Sequence, residues 1–410
     1  MKIKASLRRL ILSNFKLDVL LAISQAINEN LTNEELFHKF EILLRNDLNI
    51  GKVVVFSFNN IKWECVLESG YKVDSSIIHD FEKEMLKFRE ITNIIAVNHP
   101  VLNVFDVIIP VFHKDNIIAY VLIGDIEEER EGVSPTIKHL HFIQTLANLI
   151  IVAVENKRLN QENLRQEAMK KEIELASKMQ AMLIPSTASL PKNKDIVVAA
   201  YYHPHSGIGG DYYDVIKLSE TEYGFCIADV SGKGISAALL MSNFQANVRA
   251  LFSSKISLKL MVTRLNYTVM NNANGEKFIT LFIAKYNAAT HTLEYINAGH
   301  NPPVLYKASA KSIGFLTLGC TGIGMLDNIP GIIEGIITVE KNDKLLCFTD
   351  GLVETENEQG EEFGDDNVSA CVLKDQNIDD IVADLKIQLG AFKGSNAYID
   401  DISILGMEFF

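Results

Sequence analysis

The chain has 410 residues, 48% hydrophobic and 22% charged, which allows two or three domains and excludes a disordered chain. Its formal net charge of -13 argues against nonspecific affinity for nucleic acid or an anionic membrane. The five cysteines (Cys65, Cys226, Cys320, Cys347, Cys371) are scattered, odd in number and mostly set in apolar runs, as buried thiols of a reducing compartment would be. Near the N-terminus only Leu10-Ile11-Leu12 forms a continuous apolar run, too short for a signal-peptide core. No stretch approaches about 18 uninterrupted apolar residues, so no membrane span is expected and the predicted location is cytoplasmic.

Residues 15–155 alternate helical and strand patterns. Leu17, Leu20, Leu21, Ser24 and Ile27 recur at helical spacing, and Asn33 ahead of Glu34-Glu35 predicts the cap of a second helix. Val53-Val54-Val55-Phe56 reads as a buried strand. Residues 106–112 and 117–123 flank a Lys114-Asp115-Asn116 turn, which predicts a hairpin. The acidic run Asp125 to Glu131 reads as a solvated loop. Ser134-Pro135 then opens a long helix through Leu140, Ile143, Leu146, Leu149 and Val152. This order of helices, strands, hairpin and closing helix resembles a GAF domain. The resemblance implies a sensor or dimerisation module with a small-molecule ligand or regulator, although no cysteine sits where it would hold a chromophore or iron.

Residues 156–184 are polar and rich in helix formers. Val152, Leu159, Met169, Ile173, Ala176 and Leu183 fit one coiled-coil seam, interrupted by Glu155, Glu162, Gln166 and Gln180. The expectation is a marginal parallel coiled coil and hence a homodimer; the alternative is an exposed spacer helix. Pro185 ends the helix, and residues 186–194 form a linker.

Residues 185–410 carry the chemistry. Strands are predicted at Ile196–Tyr202, Gly224–Ala228, Phe278–Tyr286, His291–Asn297, Leu345–Phe348 and Ile402–Leu405, with a helix over Ile235–Phe252 whose apolar side holds Leu239, Leu240, Phe244, Val248 and Leu251. The fold class is α/β (α+β), and this region is expected to be a two-sheet α/β sandwich. Four acidic motifs stand at the edges of those strands: Gly209-Gly210-Asp211-Tyr212-Tyr213-Asp214, Ala228-Asp229-Val230-Ser231-Gly232-Lys233-Gly234, Phe348-Thr349-Asp350-Gly351 and Asp400-Asp401-Ile402-Ser403. One aspartate at a strand end is an ordinary turn residue. Four in one region, with no cysteine or histidine at metal-ligand spacing, suit hard divalent ions such as Mg2+ or Mn2+. Two such ions close together can activate water and clamp a phosphoryl group.

These motifs, with Asn297-Ala298-Gly299-His300-Asn301-Pro302-Pro303 and Thr349-Asp350-Gly351-Leu352-Val353-Glu354, resemble the bacterial metal-dependent serine/threonine phosphatases, relatives of phosphatase 2C typified by stage II sporulation protein E and the sigma-B regulator phosphatase. The resemblance implies that Asp211 bridges two ions, that Asp229 and the backbone carbonyl of Val230 complete the coordination beside it, and that Asp350 and Asp400, or Asp401 in place of Asp400, hold the first metal. It implies a metal-activated water as nucleophile and no catalytic side chain. The implied substrate is phosphoserine or phosphothreonine on an anti-anti-sigma-type regulatory protein. Two rivals are a catalytically inactive phosphoprotein-binding scaffold and a phosphatase of small phosphate esters.

Eukaryotic members use an arginine near the first motif to grip phosphate, and no arginine lies between Arg165 and Arg249. Lys233 could contribute there, or it is an ordinary solvated lysine. His300 reads as a hydrogen-bonding loop-former, and His203 and His205 are given no chemistry. Gly232-Lys233-Gly234 is not a P-loop: position 227 is isoleucine, and no serine or threonine follows the lysine.

Overall fold

The computed structural model describes residues 2–59, 61–73, 84–94, 102–126, 139–205, 207–374 and 376–410. Ser134-Pro135 and most of the Asp125–Glu131 run lie outside the described residues. The chain divides into two compact units, residues 1–167 and 168–410.

In the first unit, α1 (Lys2–Asn28) and α2 (Asn33–Ile42) precede an antiparallel sheet. Its strands are β1 (Ile50–Phe58), β2 (Trp63–Ser69), β3 (Thr92–Asn93), β4 (Val107–His113) and β5 (Asn116–Ile126), in the order β2-β1-β5-β4-β3. The predicted hairpin is present, and Lys114 takes the left-handed turn conformation (φ 55°). Alternation along β1 sends Val53 and Val55 to a core shared with Phe40 of α2 and Ile143, Leu146 and Ile150 of the long helix α3 (Leu140–Ala181). Val54 and Phe56 face the other way, onto Trp63, Phe105 and Tyr120. Both faces are buried, which is why β1 reads as an unbroken apolar run.

The cap of α2 is Thr32, not Asn33. Its hydroxyl accepts from the Glu35 amide (3.2 Å) while the Glu35 carboxylate accepts from the Thr32 amide (2.7 Å). That reciprocal pair, written in the sequence as Thr-x-x-Glu, satisfies two orphan groups where an Asn33 cap would satisfy one. Residues 10–28 of α1 have a mean hydropathy of 1.5, long and apolar enough to cross a membrane by length and composition. Counting uninterrupted runs overlooked this, because hydropathy averages over the polar residues between. Ile23 and Ala26 are nevertheless core residues of this unit, with Leu10, Leu17 and Leu21 exposed.

In the second unit, two antiparallel-rich sheets lie between two layers of helices. One sheet runs β13-β10-β9-β8-β7, with β14 added on β10. Its strands are β7 (Tyr212–Lys217), β8 (Glu222–Val230), β9 (Ile279–Asn287), β10 (Thr292–Ala298), β13 (Gly319–Cys320) and β14 (Gly335–Thr338). The other runs β12-β11-β15-β16-β6, from β6 (Ile196–His203), β11 (Val304–Lys307), β12 (Ser312–Phe315), β15 (Lys344–Phe348) and β16 (Ile402–Phe409). Period-two alternation sorts the second sheet. Leu345, Cys347, Leu405 and Met407 join the core that the first sheet shares with α4 (Ile235–Leu251) and α5 (Leu258–Ala273). Leu346, Phe348, Ile402 and Ile404 face α7 (Gly364–Val372) and α8 (Ile378–Lys393), which follow the single turn α6 (Asp350–Val353).

Leu239 does not join the apolar side of α4: it is 67% exposed, while Ala237, Leu240, Met241, Phe244 and Val248 are buried. A stripe about 100° wide takes only one of two adjacent leucines. The helix α3 ends at Ala181, four residues before Pro185, since Met182 and Leu183 already turn. Cys226, Cys347 and Cys371 are buried; Cys65 and Cys320 are half-buried, and all five are free.

Asp214 of β7 is fully buried. Arg249 of α4 grips it with two nitrogens (2.7 and 3.1 Å) and the Tyr212 hydroxyl donates to it (2.6 Å). Arg249→Met would leave a buried carboxylate without its cation, so it should destabilise the protein by about 3 kcal/mol, read as a lowered urea midpoint. An unfolding free energy within about 0.5 kcal/mol of wild type, the scatter of a neutral surface change, would contradict this role.

Candidate metal centre

The four acidic motifs meet at one end of the sandwich because of strand register. Tyr212 pairs with Ala228 at the β7–β8 edge, so Asp211 lies just before β7 and Asp229 near the end of β8. Phe348 pairs with Ile404, which sets Thr349 and Asp350 at the end of β15 against Asp400 to Ser403 at the start of β16. One pair of motifs comes from each sheet.

Asp211 is 1% exposed, and its Oδ2 accepts the hydroxyls of Thr349 (2.8 Å) and Ser403 (2.7 Å). The Ser403 amide donates in turn to Thr349 Oγ1 (2.9 Å). Carboxylates were the residues sought in the sequence; these two hydroxyls stand inside the same motifs and were not singled out. Thr349 directly before Asp350, and Ser403 two residues after Asp401, were the available signal.

Gly210 is required by close approach. A Cβ there would stand 2.9 Å from the Val230 carbonyl oxygen and 3.2 Å from Asp229 Oδ1, so both oxygens border the space over Gly210. A Cβ at Gly351 would likewise meet the Asp401 carbonyl at 2.1 Å and Asp400 Cβ at 3.1 Å, which draws the β15 and β16 motifs together. The adjacent acids 400 and 401 divide their work. Asp401 accepts the backbone amides of His205 (2.7 Å) and Gly210 (2.5 Å) on its two oxygens and so ties down the loop carrying Asp211. Asp400 Oδ2 faces Lys233 Nζ at 2.9 Å.

Burial, then the charge of Asp229, pushes the Asp211 carboxyl well above its ordinary value. Burial, followed by Asp350 and Asp400, raises Asp229 to about 7. Burial and Asp400 raise Asp350, and burial raises Asp401. Buried like charges repel, and a divalent cation is the species that removes the repulsion. Among the described residues no three acidic, histidine or cysteine side chains are so placed that they could together hold a metal ion. The donors converging here are nonetheless all oxygens, carboxylates plus one strand-end carbonyl, which fits a hard ion such as Mg2+ or Mn2+.

Arg249 is committed to Asp214. His300 is buried: its amide donates to Asn297 Oδ1 (2.8 Å), its carbonyl accepts from Asn297 Nδ2 (3.0 Å), and Nδ1 meets Thr280 Oγ1 at 2.9 Å. This is the loop-forming geometry expected of it. Burial pushes the imidazole down to about 4, opposed in part by the Phe348 backbone.

An unfolded histidine takes up its proton near 6.5, whereas folded His300 stays neutral down to about 4. The unfolded state therefore binds more protons across that window, and stability falls as pH drops from about 6.5 to about 4, by about 3 kcal/mol in all. His300→Gln should flatten this part of the profile when urea unfolding is compared at pH 7 and pH 5; an unchanged slope would contradict the assignment.

Three comparisons bear on this geometry. Residues 219–410 match the family model for stage II sporulation protein E (SpoIIE). The chain is 33% identical over 201 residues to the phosphoserine phosphatase RsbU of Bacillus subtilis (strain 168), covering 48% of this chain and 57% of that protein. It is 27% identical over 224 residues to the phosphoserine phosphatase RsbP of the same organism, 53% and 51% of the two chains. It thus spans little more than half the length of these curated relatives. The SiaA-PP2C domain of Pseudomonas aeruginosa superposes with a TM-score of 0.51 at 17% identity, over 60% of this chain and 99% of that one, a likeness of fold alone. Residues 219–410 are thus similar to the SpoIIE family, and the second unit has the fold of a phosphatase 2C domain.

Proposed function

We propose that this chain is a metal-dependent serine/threonine protein phosphatase, regulated through its N-terminal region and acting on a phosphorylated anti-anti-sigma-type regulator in the cytoplasm. The observation that carries the reading is Asp211, buried, held on one oxygen by Thr349 and Ser403, with Asp229 beside it and Asp350 and Asp400 of the other sheet near enough to Asp229 to raise it. Asp211 would bridge two Mg2+ or Mn2+ ions, Asp229 and the Val230 carbonyl would hold one side, and Asp350 and Asp400 the other. Asp400 is preferred to Asp401, whose oxygens are committed to backbone amides. When bound, two such ions activate water and neutralise phosphoryl charge. The protein's part is positional: Thr349 and Ser403 hold Asp211 by Oδ2, and Asp401 fixes the loop ahead of it.

We read residues 15–155 as a GAF-like sensor or dimerisation domain, 156–184 as the coiled-coil linker and 185–410 as the phosphatase domain. The antiparallel sheet flanked by helices supports the first reading, and a groove lined by Phe58, Leu86, Arg89, His113 and Ile118 is a place for a small-molecule regulator. A homodimer is supported by Leu159, Leu164, Leu175 and Met179, apolar side chains that α3 leaves 40–63% exposed. Light scattering at micromolar concentration should then give twice the chain mass; a monomer mass contradicts the dimer.

The full chain with Mn2+ should hydrolyse a phosphoserine peptide, and chelator or Asp211→Asn should lower the rate at least about 100-fold, since each removes the two-ion clamp. Binding of a phosphoprotein without turnover under any metal condition would favour the scaffold instead.

A further inference from the structure

Among the described residues, Lys233 is the one cation that forms an ion pair with any of the carboxylates Asp211, Asp229, Asp350, Asp400 and Asp401. Its Nζ stands 2.9 Å from Asp400 Oδ2 and donates to the Ile399 carbonyl. The lysine belongs to the loop between β8 and α4, so its side chain crosses from the motif of one sheet to the motif of the other. The loop is fastened on its β8 side. The Ser231 amide donates to the Phe278 carbonyl (2.9 Å), Ser231 Oγ accepts the Phe278 amide (2.9 Å), and Lys277 Nζ donates to the Ser231 carbonyl (2.7 Å). Beyond Ser231, Lys233 is flanked by Gly232 (φ +77°) and Gly234 (φ +84°), conformations that favour glycine. A Cβ at Gly234 would meet open space, while the Gly234 carbonyl accepts the Ala238 amide (3.1 Å) as the cap of α4, so the mobile part is the lysine side chain rather than the loop. Lys233 itself is 48% exposed.

As a contribution to stability, a half-exposed pair of this kind is worth little. Its place gives it another consequence. Asp400 Oδ1 already accepts the Asp401 amide (2.8 Å), so the oxygen engaged by Lys233 is the one left to bind a cation. An ammonium and a divalent ion cannot both hold it at contact distance, and the like charges repel. We propose that Lys233 is the resident counter-ion of this centre: it occupies Asp400 in competition with the divalent cation, withdraws its half-exposed side chain into solvent when the cation binds, and thereby sets the metal concentration at which the site fills. The proposal rests on the reading of these carboxylates as a metal centre.

The test is calorimetric titration of Mn2+ into the full-length protein. Lys233→Met, which keeps the length of the side chain and removes the charge, should bind Mn2+ about tenfold more tightly than wild type, while Lys233→Arg, which keeps the charge, should bind it close to wild type. A second readout follows the lysine directly. In protein whose lysines carry 13C-methyl groups, the resonance missing from Lys233→Arg should shift as Mg2+ saturates the site. Equal Mn2+ affinity in wild type and Lys233→Met, or a Lys233 resonance unmoved at saturating Mg2+, would overturn the counter-ion role and leave the metal centre standing. Absence of Mn2+ binding by wild type and Lys233→Met alike would overturn both.

Discussion

The structure of the second unit depends on one carboxylate oxygen. Asp211 stands at the start of β7 in one sheet, and the hydroxyls that hold its Oδ2 come from Thr349 and Ser403 of the other. Burying a carboxylate is costly unless its oxygens are satisfied. The two hydroxyls do so only if the sheets are stacked in this register. The same contacts that seat the acid therefore fix the sheet-to-sheet alignment at this end of the sandwich, and the remaining acids follow from strand pairing. Asp229 is carried by the β8 register, Asp350 by β15 and Asp400 by β16.

A cluster of this kind gathers like charges in a poorly hydrated place, and the protein answers them differently at each point. Asp214, fully inside, receives a guanidinium and a phenol. Asp401 receives two backbone amides and so becomes part of the frame. Asp211 receives two hydroxyls on one oxygen. Asp400 receives a lysine from a glycine-flanked loop, the least permanent of these partners. The grading runs from fixed to exchangeable as the acids approach the site, the arrangement expected of a binding centre held by a rigid surround.

Much of this was legible in the sequence because strand-end motifs carry both composition and position. Four Asp-bearing motifs at the edges of apolar runs pointed to one cluster, and the strands on either side of Asn287 to Thr290 were readable and pair as a hairpin. The division of labour between Asp400 and Asp401 was not, since adjacent acids look alike until the backbone amides of His205 and Gly210 are placed beside one of them. Thr349 and Ser403 passed as ordinary strand-end residues because a hydroxyl's role depends on what lies across from it. Leu239 was misplaced because two adjacent leucines both fit a coarse helical stripe, and only the packing of Ala237, Leu240 and Phe244 decides between them. The Thr32 capping box was present in the sequence and overshadowed by the neighbouring asparagine.

The most direct measurement of the central claim is an anomalous difference map at the manganese edge, from crystals of the full-length protein grown with Mn2+. The account predicts two peaks bridged by Asp211, one beside Asp229 and the Val230 carbonyl and the other beside Asp350 and Asp400, with Asp401 still on its backbone amides. No peak at these carboxylates, or peaks coordinated by Asp401 with Asp400 still paired to Lys233, would contradict it.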